Sequence, residues 1–334
     1  MKELIKENVL VIGLGSIGER HVRNLKKLGC KSIFVLRRKN DKPRTIDFND
    51  YNFVSSLDEV LKYGIKAAII ANPSSHHTEL LEKLVLNKIP VLLEVPISDK
   101  LDHLQKISDY AKKNSVPILV GHNIKFHPSL KKIFELIKSK KIGDVHYSRS
   151  QFGEYLPDCH PWGDYKNRYE ARSDLGGGVI LTSIHEIDHA IWLLGEVKSV
   201  TCIKRTLKLD IDVEDTAMII LEHKSGALSE IVLDFIQRVY TRNLQICAGN
   251  GTIEWALRKN NLKVFKAESE KWEDLISNES YDFNETYIEE LLHFSDVIYK
   301  NNAPITGLDH SIHVLNVALS AKHSSEQNKT IYIN

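Results

Sequence analysis

Cysteine is scarce in this chain of 334 residues. The four present, Cys30, Cys159, Cys202 and Cys247, lie far apart and form no C-x-x-C pair. That argues against a disulfide framework or a cysteine zinc site and fits a reducing compartment. An excess of one charge is also lacking: 45 Lys and Arg stand against 44 Asp and Glu, a net of +1. Nothing therefore calls for a nucleic-acid or anionic-membrane partner. No apolar run is long enough to cross a bilayer. The charged start, with Lys2, Glu3, Lys6 and Glu7, runs straight into an apolar strand and does not read as a signal peptide. A soluble, cytoplasmic protein is expected. There is no internal repeat or low-complexity tract, and the length suggests two domains with sizeable cores.

What is present begins with glycine. Val9 to Ile12 reads as a buried strand, and Gly13, Leu14, Gly15, Ser16, Ile17 and Gly18 follow in G-x-G-x-x-G spacing. Val22, Leu25 and Leu28 then recur at a helical interval. Strand, glycines and helix in this order form a dinucleotide-binding fingerprint. Gly13 permits the tight turn, Gly15 lets a pyrophosphate approach the backbone, and Gly18 lets helix and strand pack closely. The free N–H groups of the helix start suit a diphosphate. The alternative is a glycine-rich turn in some other α/β protein.

Further strands are expected at Ser32–Leu36, Ala67–Ala71, Pro90–Glu94 and Pro117–Val120, alternating with helices. The pattern predicts a doubly wound parallel sheet ending near residue 122. An acidic residue after the second strand would favour NAD(H). Arg37, Arg38 and Lys39 stand there instead, and cations suit a 2′-phosphate, so NADP(H) is favoured and NAD(H) is kept as the second choice. A solvated basic loop is the other reading. Asn72, Pro73 and His77 fall in a loop at the carboxyl end of a strand, where open parallel sheets place ligands.

Residues 123–334 read as a second, α+β domain. A helix over 129–140 precedes short strands at 145–151, 200–205, 216–223, 227–235, 243–248, 251–256 and 262–267, whose turn signals suggest a largely antiparallel sheet. Helices are expected over 285–299 and 309–327, and a last strand at 330–333. Between Gly153 and Arg168 the sequence is aromatic, polar and aperiodic, which is loop chemistry. Tyr155, His160, Trp162 and Arg168 there suit a sugar, with rings for C–H edges and charges for hydroxyls or carboxylates. A loop packed on its own aromatics is the alternative. Gly176-Gly177-Gly178 opens an apolar helix over 179–194. His185, Asp188 and His189 share one face of it. His185-Glu-Ile-Asp-His189 matches the H-E-x-x-H expression of zinc proteases literally. The dinucleotide fold and the three glycines argue against that reading, and no metal is expected.

Gly13 to His21, Ala71 to His77 and Glu94-Val95-Pro96 together resemble the Gfo/Idh/MocA oxidoreductases, and the resemblance covers nearly the whole chain. It implies a Rossmann domain followed by an α+β domain with a large, mostly antiparallel sheet. It further implies that Glu94 meets the nicotinamide ribose and that a cis bond precedes Pro96. The family carries a lysine at the position of Val95, where it helps polarise the reacting hydroxyl. Valine can neither donate a proton nor accept one. His185 matches the family's catalytic histidine, and Thr182, or Leu181 for relatives with one more intervening residue, occupies the place of an aspartate. The segment 121–128 resembles the join between the two domains, with Asn123 on the cofactor side and Lys125 as a stand-in for the missing lysine. Tyr155–Trp162, Val213–Ala217, Asp234–Arg238 and Gly251–Trp255 resemble a branch found beside bacterial surface-sugar genes.

The expected activity is hydride transfer between nicotinamide and a sugar or sugar derivative, nucleotide-linked and acidic sugars included. His185 is the expected general acid/base, with Lys125 beside it and Thr182 and Asp188 toward substrate. The open face of the second sheet is expected to support a homodimer or homotetramer. The rival is a cofactor-bound sensor or scaffold with little turnover, which Val95 favours.

Overall fold

A computed structural model describes residues 1, 3–38, 43–159 and 163–333. In chain order the first part contains β1 (Asn8–Ile12), α1 (Ser16–Lys27), β2 (Ser32–Leu36), β3 (Asn52–Val54), α2 (Leu57–Leu61), β4 (Ala67–Ile70), α3 (His77–Leu86), β5 (Val91–Leu93), α4 (Leu104–Lys113) and β6 (Ile118–Val120). The middle contains α5 (Pro128–Lys138), β7 (Val145–Tyr155), α6 (Leu156–Cys159), α7 (Val179–Thr182), α8 (His185–Leu194), β8 (Val197–Arg205), β9 (Thr216–His223), β10 (Leu228–Asp234), β11 (Ile236–Ala248), β12 (Gly251–Ala256), β13 (Asn261–Lys266) and β14 (Lys271–Ser277). The chain ends with α9 (Asn284–Tyr299), α10 (Leu308–Gln327) and β15 (Ile331–Tyr332).

Two compact units result, Met1–Asn123 with Asn284–Ile312, and Ile124–Phe283 with His313–Asn334. In the first, six parallel strands run in the order β3-β2-β1-β4-β5-β6. The order reverses between β1 and β4, the switch point at which open sheets hold ligands. β1 and β4 are apolar without alternation because helices cover both faces of such a sheet. Val9, Val11, Ile69 and Leu92 form its core with Val22 and Leu25 of α1 and with Leu291 and Phe294 of α9. Residues 284–312 thus pack with the first unit, a return of the chain that a single cut after residue 122 leaves out.

The second unit is built on nine strands in the order β14-β13-β12-β11-β7-β10-β9-β8-β15. β10 and β7 pair in parallel, and every other neighbouring pair is antiparallel. Its strands alternate buried and exposed residues, as in β9 with Ala217, Ile219 and Leu221 inside. Residues 153–155, expected in a loop, continue β7, and β11 begins seven residues before the expected Asn243. Their side chains are polar and aromatic, so composition hides a backbone that pairs, with an irregular register between Ile236 and Thr241. β3, β14 and α4 are further elements the pattern does not signal. The single helix expected over 179–194 is two, broken at Ser183 (φ −105°, ψ 30°). Thr182 Oγ donates back to the Gly178 carbonyl at 2.9 Å, and adjacent hydroxyl side chains of this kind compete with helical bonding.

Candidate active site

The first unit carries the nucleotide edge. Gly13 has φ +95°, and a Cβ there would lie 2.8 Å from the Ala71 carbonyl, so the loops after β1 and β4 touch backbone to backbone. A Cβ on Gly18 would meet the Gly13 carbonyl at 2.1 Å. A Cβ on Gly15 would meet nothing within 4 Å, and Gly15 and Ser16 are exposed at the start of α1. Crowding at two glycines and open space at the third is the arrangement a diphosphate needs. Leu14 is buried beside this loop and Ile17 is half-buried.

Around this edge the structure locates the remaining cofactor candidates. Arg37, just past β2, donates to the Tyr51 hydroxyl at 3.2 Å and lies 4.5 Å from the Phe53 ring centroid. Its guanidinium is therefore held by rings, while Arg38 is exposed. Lys39 lies outside the described residues. His77 is buried, and its Nε2 lies 2.7 Å from the Asn72 carbonyl, fixing the turn that carries Asn72 and Pro73. Burial lowers its pKa to about 4, so it is neutral at pH 7. Asn123 is buried and donates to Thr286 at 2.8 Å. Glu94 follows β5, His21 Nε2 lies 2.6 Å from its Oε1, and a cis bond joins Val95 to Pro96. Val95 is half-buried.

The second unit gathers charge around α8. His185 is its first residue and is half-buried. One turn on, Asp188 is fully buried and accepts from Lys125 Nζ at 2.8 Å. Lys125 is also fully buried, 5.3 Å from the Trp192 ring centroid. Burial pulls its ammonium below the ordinary range, against the pull of Asp188. Neither group of this pair reaches solvent. Glu186 takes a two-pronged bond from Arg242, at 2.7 and 3.2 Å. Its carboxylate is thereby engaged and unlike the general base of a zinc protease. Burial holds His189 neutral, well below its ordinary pKa. Thr182 spends its hydroxyl on the helix itself. Gly178 (φ +101°) is crowded by Glu214, whose Oε1 would lie 2.4 Å from a Cβ and which accepts from the Ile180 N–H at 3.2 Å.

A cavity of about 410 Å³ in the same unit is lined by Glu154, Tyr155, Asp158, Cys159, Arg168, Glu170, Arg238 and Tyr240. Arg238 stacks on Tyr155 at 3.6 Å, and Arg168 pairs with Glu170. Burial raises the Glu154 pKa, and burial with Glu154 beside it pushes the Cys159 thiol up to about 12, so this cysteine is no nucleophile. His160 and Trp162 lie outside the described residues. A larger hollow, about 780 Å³, lies along the sheet by Arg149, Glu254 and Lys263 and shares Tyr240 with the first.

Residues 7–122 match the oxidoreductase family with an NAD-binding Rossmann fold, and residues 130–254 match the GFO/IDH/MocA C-terminal domain. The chain belongs to the Gfo/Idh/MocA oxidoreductases. It is similar to a myo-inositol 2-dehydrogenase of Thermotoga maritima, 24% identical over 96% of this chain and 97% of the relative. It is similar also to a scyllo-inositol 2-dehydrogenase (NAD(+)) of Bacillus subtilis, 27% identical over 94% and 92%. Among solved structures, a levoglucosan dehydrogenase in complex with NADH superposes with a TM-score of 0.88 over 98% of this chain and 99% of that one, at 16% identity. Like the rest of the family this is an NAD-binding oxidoreductase. The Gfo/Idh/MocA resemblance did not disclose Arg242, Glu186, Glu214 or Glu290. The one visible signal is Glu290, a carboxylate set among Tyr287, Leu291 and Phe294 at helical spacing.

Proposed function

We propose that the protein is a dehydrogenase of a sugar or sugar derivative, with the first unit holding the cofactor and the second binding substrate. The observation that carries this reading is His185, a half-buried imidazole at the head of α8, one turn from the buried Lys125–Asp188 pair. Imidazole titrates near neutrality, so His185 takes the hydroxyl proton in oxidation and returns it in reduction. Bound NAD(P) supplies the hydride chemistry at nicotinamide C4. Lys125 and Asp188 support His185 from the interior, because neither is exposed. Arg37 and Arg38 favour the 2′-phosphate of NADP(H), with NAD(H) the alternative. Tyr155, Arg168 and Arg238 line the place for substrate hydroxyls and for a carboxylate or phosphate on an acidic or nucleotide-linked sugar of a surface-polysaccharide route. Ile203, Met218, Ile220 and Leu228 are exposed on neighbouring strands of the large sheet, and a homodimer or homotetramer formed through that face would cover them. Inositol and levoglucosan, the substrates named in the relatives, are the first compounds to try.

Val95, with Lys125 committed to Asp188, favours a second reading of cofactor-bound sensing with slow turnover. A survey of polyols, free sugars, sugar acids and nucleotide sugars with each cofactor separates the two. Cofactor reduction or oxidation with one of them supports the dehydrogenase, and tight binding without turnover across the panel sinks it.

A further inference from the structure

Glu290 is fully buried in α9, and neither carboxylate oxygen has a hydrogen-bond partner among the described residues. The polar groups beside it are Glu94, at the carboxyl end of β5, and His21 of α1, with one ligand-type atom of each of the three within 4.8 Å of the others. His21 is bonded to Glu94, so any positive charge on the imidazole is balanced there and leaves none for Glu290. Arg20 lies over the Tyr287 ring at 4.6 Å and does not pair with Glu290. His77 of α3 acts on Glu94 and is itself neutral. Gly121 leaves space at Glu94, whose Oε2 would lie 3.0 Å from a Cβ there. Two carboxylates this close, one wholly desolvated and with no cation between them, do not both ionise.

We propose that Glu290 is a neutral carboxylic acid whose O–H is turned toward the nearby Glu94 carboxylate, and that Glu290 and His21 together hold that carboxylate in its cofactor-binding orientation. The proposal rests on the reading of Glu94 as the group that meets the nicotinamide ribose. Glu290 is then a positioning residue, and cofactor affinity depends on its proton. Burial first, and the charge of Glu94 second, raise its pKa well above the ordinary carboxyl range, so raising the pH until Glu290 ionises sets its charge against Glu94 and weakens binding.

Infrared spectra of the full chain read the proton directly. Wild type at pH 7 should show the carbonyl stretch of a protonated carboxyl group, and Glu290→Gln should lack it. Fluorescence titration with NADH and NADPH reads the consequence. Glu290→Gln keeps a donor and cannot ionise, so it should bind within about threefold of wild type at pH 7 and lose the weakening at raised pH, while Glu290→Leu should bind about tenfold more weakly. Absence of the infrared band in wild type overturns the proposal whatever the cofactor data show. So does saturable uptake of Zn²⁺ or Mn²⁺ that Glu290→Gln abolishes, which would make the cluster a metal site. Equal weakening by Glu290→Gln and Glu290→Leu overturns it as well, by reducing Glu290 to a matter of shape. Glu94→Gln isolates the reading beneath: if it binds both cofactors like wild type, the ribose role of Glu94 fails and the positioning role with it, while the infrared band still reports the proton.

Discussion

The glycine edge of the first unit and the His185 helix of the second are built in opposite ways. Gly13, Gly15 and Gly18 act by lacking side chains: two let backbones touch, and one leaves room for a ligand. Around His185 the side chains themselves make the arrangement, through the pairs Lys125–Asp188 and Glu186–Arg242, both buried. An absence needs only three small residues at fixed spacing. A buried charge network needs every partner at once, because each group left unpaired costs more than the completed pair contributes. The first arrangement is therefore readable from a short motif, and the second only from the folded chain.

The comparison can be tested where the effects are largest. His185→Ala should lower kcat by about two to four orders, the range for a positioned acid–base group, with cofactor affinity unchanged by fluorescence titration. Near-normal turnover would remove His185 from the chemistry. Lys125→Met leaves Asp188 buried without its cation and should cost about 3–5 kcal/mol of stability in urea melts. Lys125→Met with Asp188→Leu should regain most of that, and a double variant no better than the single one would show that the pair is not what stabilises α8.

The glycine edge gives smaller effects. Gly18→Ala, forced against the Gly13 carbonyl, should lose about 1–3 kcal/mol by overpacking. Gly15→Ala should leave the melting point nearly unchanged and weaken cofactor binding instead. If both variants lose stability equally, the open space at Gly15 is not a ligand site. Acid should act on both units. His77 and His127 have folded pKa values of about 4 against 6.5, each lowered first by burial. The unfolded chain takes up their protons first, so stability falls as pH drops from 6.5 to about 4, by up to about 3 kcal/mol for each histidine. His77→Asn and His127→Asn should each flatten part of that slope. The smallest effect expected is in cofactor choice: Arg37→Asp should shift the NADPH to NADH affinity ratio by about tenfold, the scale of one charge-assisted bond. An unchanged ratio would reduce Arg37 to its contacts with Tyr51 and Phe53.

Much of the fold was legible because it follows periodicity. The apolar runs at 9–12 and 67–71 and the alternation at 216–223 each become strands at nearly those bounds. The ends of β7 and β11 were not, since Gly153–Tyr155 and Ile236–Arg242 look like loop chemistry and pair only because each meets the other. Among the candidate residues, Gly13 to Gly18, Glu94 and His185 carry signals in their own neighbourhoods. Arg242 carries none. It is a buried arginine on a strand whose partner, Glu186, is 56 residues away, a distance no local pattern spans. Lys125 was visible as a residue but not as a buried one.

The first unit's discontinuity also has a consequence for how the chain emerges during synthesis. Its sheet is complete by β6, yet Leu291 and Phe294, which pack into the core of that sheet, are made only after the whole of 124–283. The second unit likewise waits for 313–334 and the strand β15 that edges its sheet. The first unit closes its core only when residues 284–312 have left the ribosome, and the second only when 313–334 have followed. Until the first of these events the Rossmann sheet exposes an apolar face to its surroundings, and a chaperone that binds such faces has its longest opportunity there.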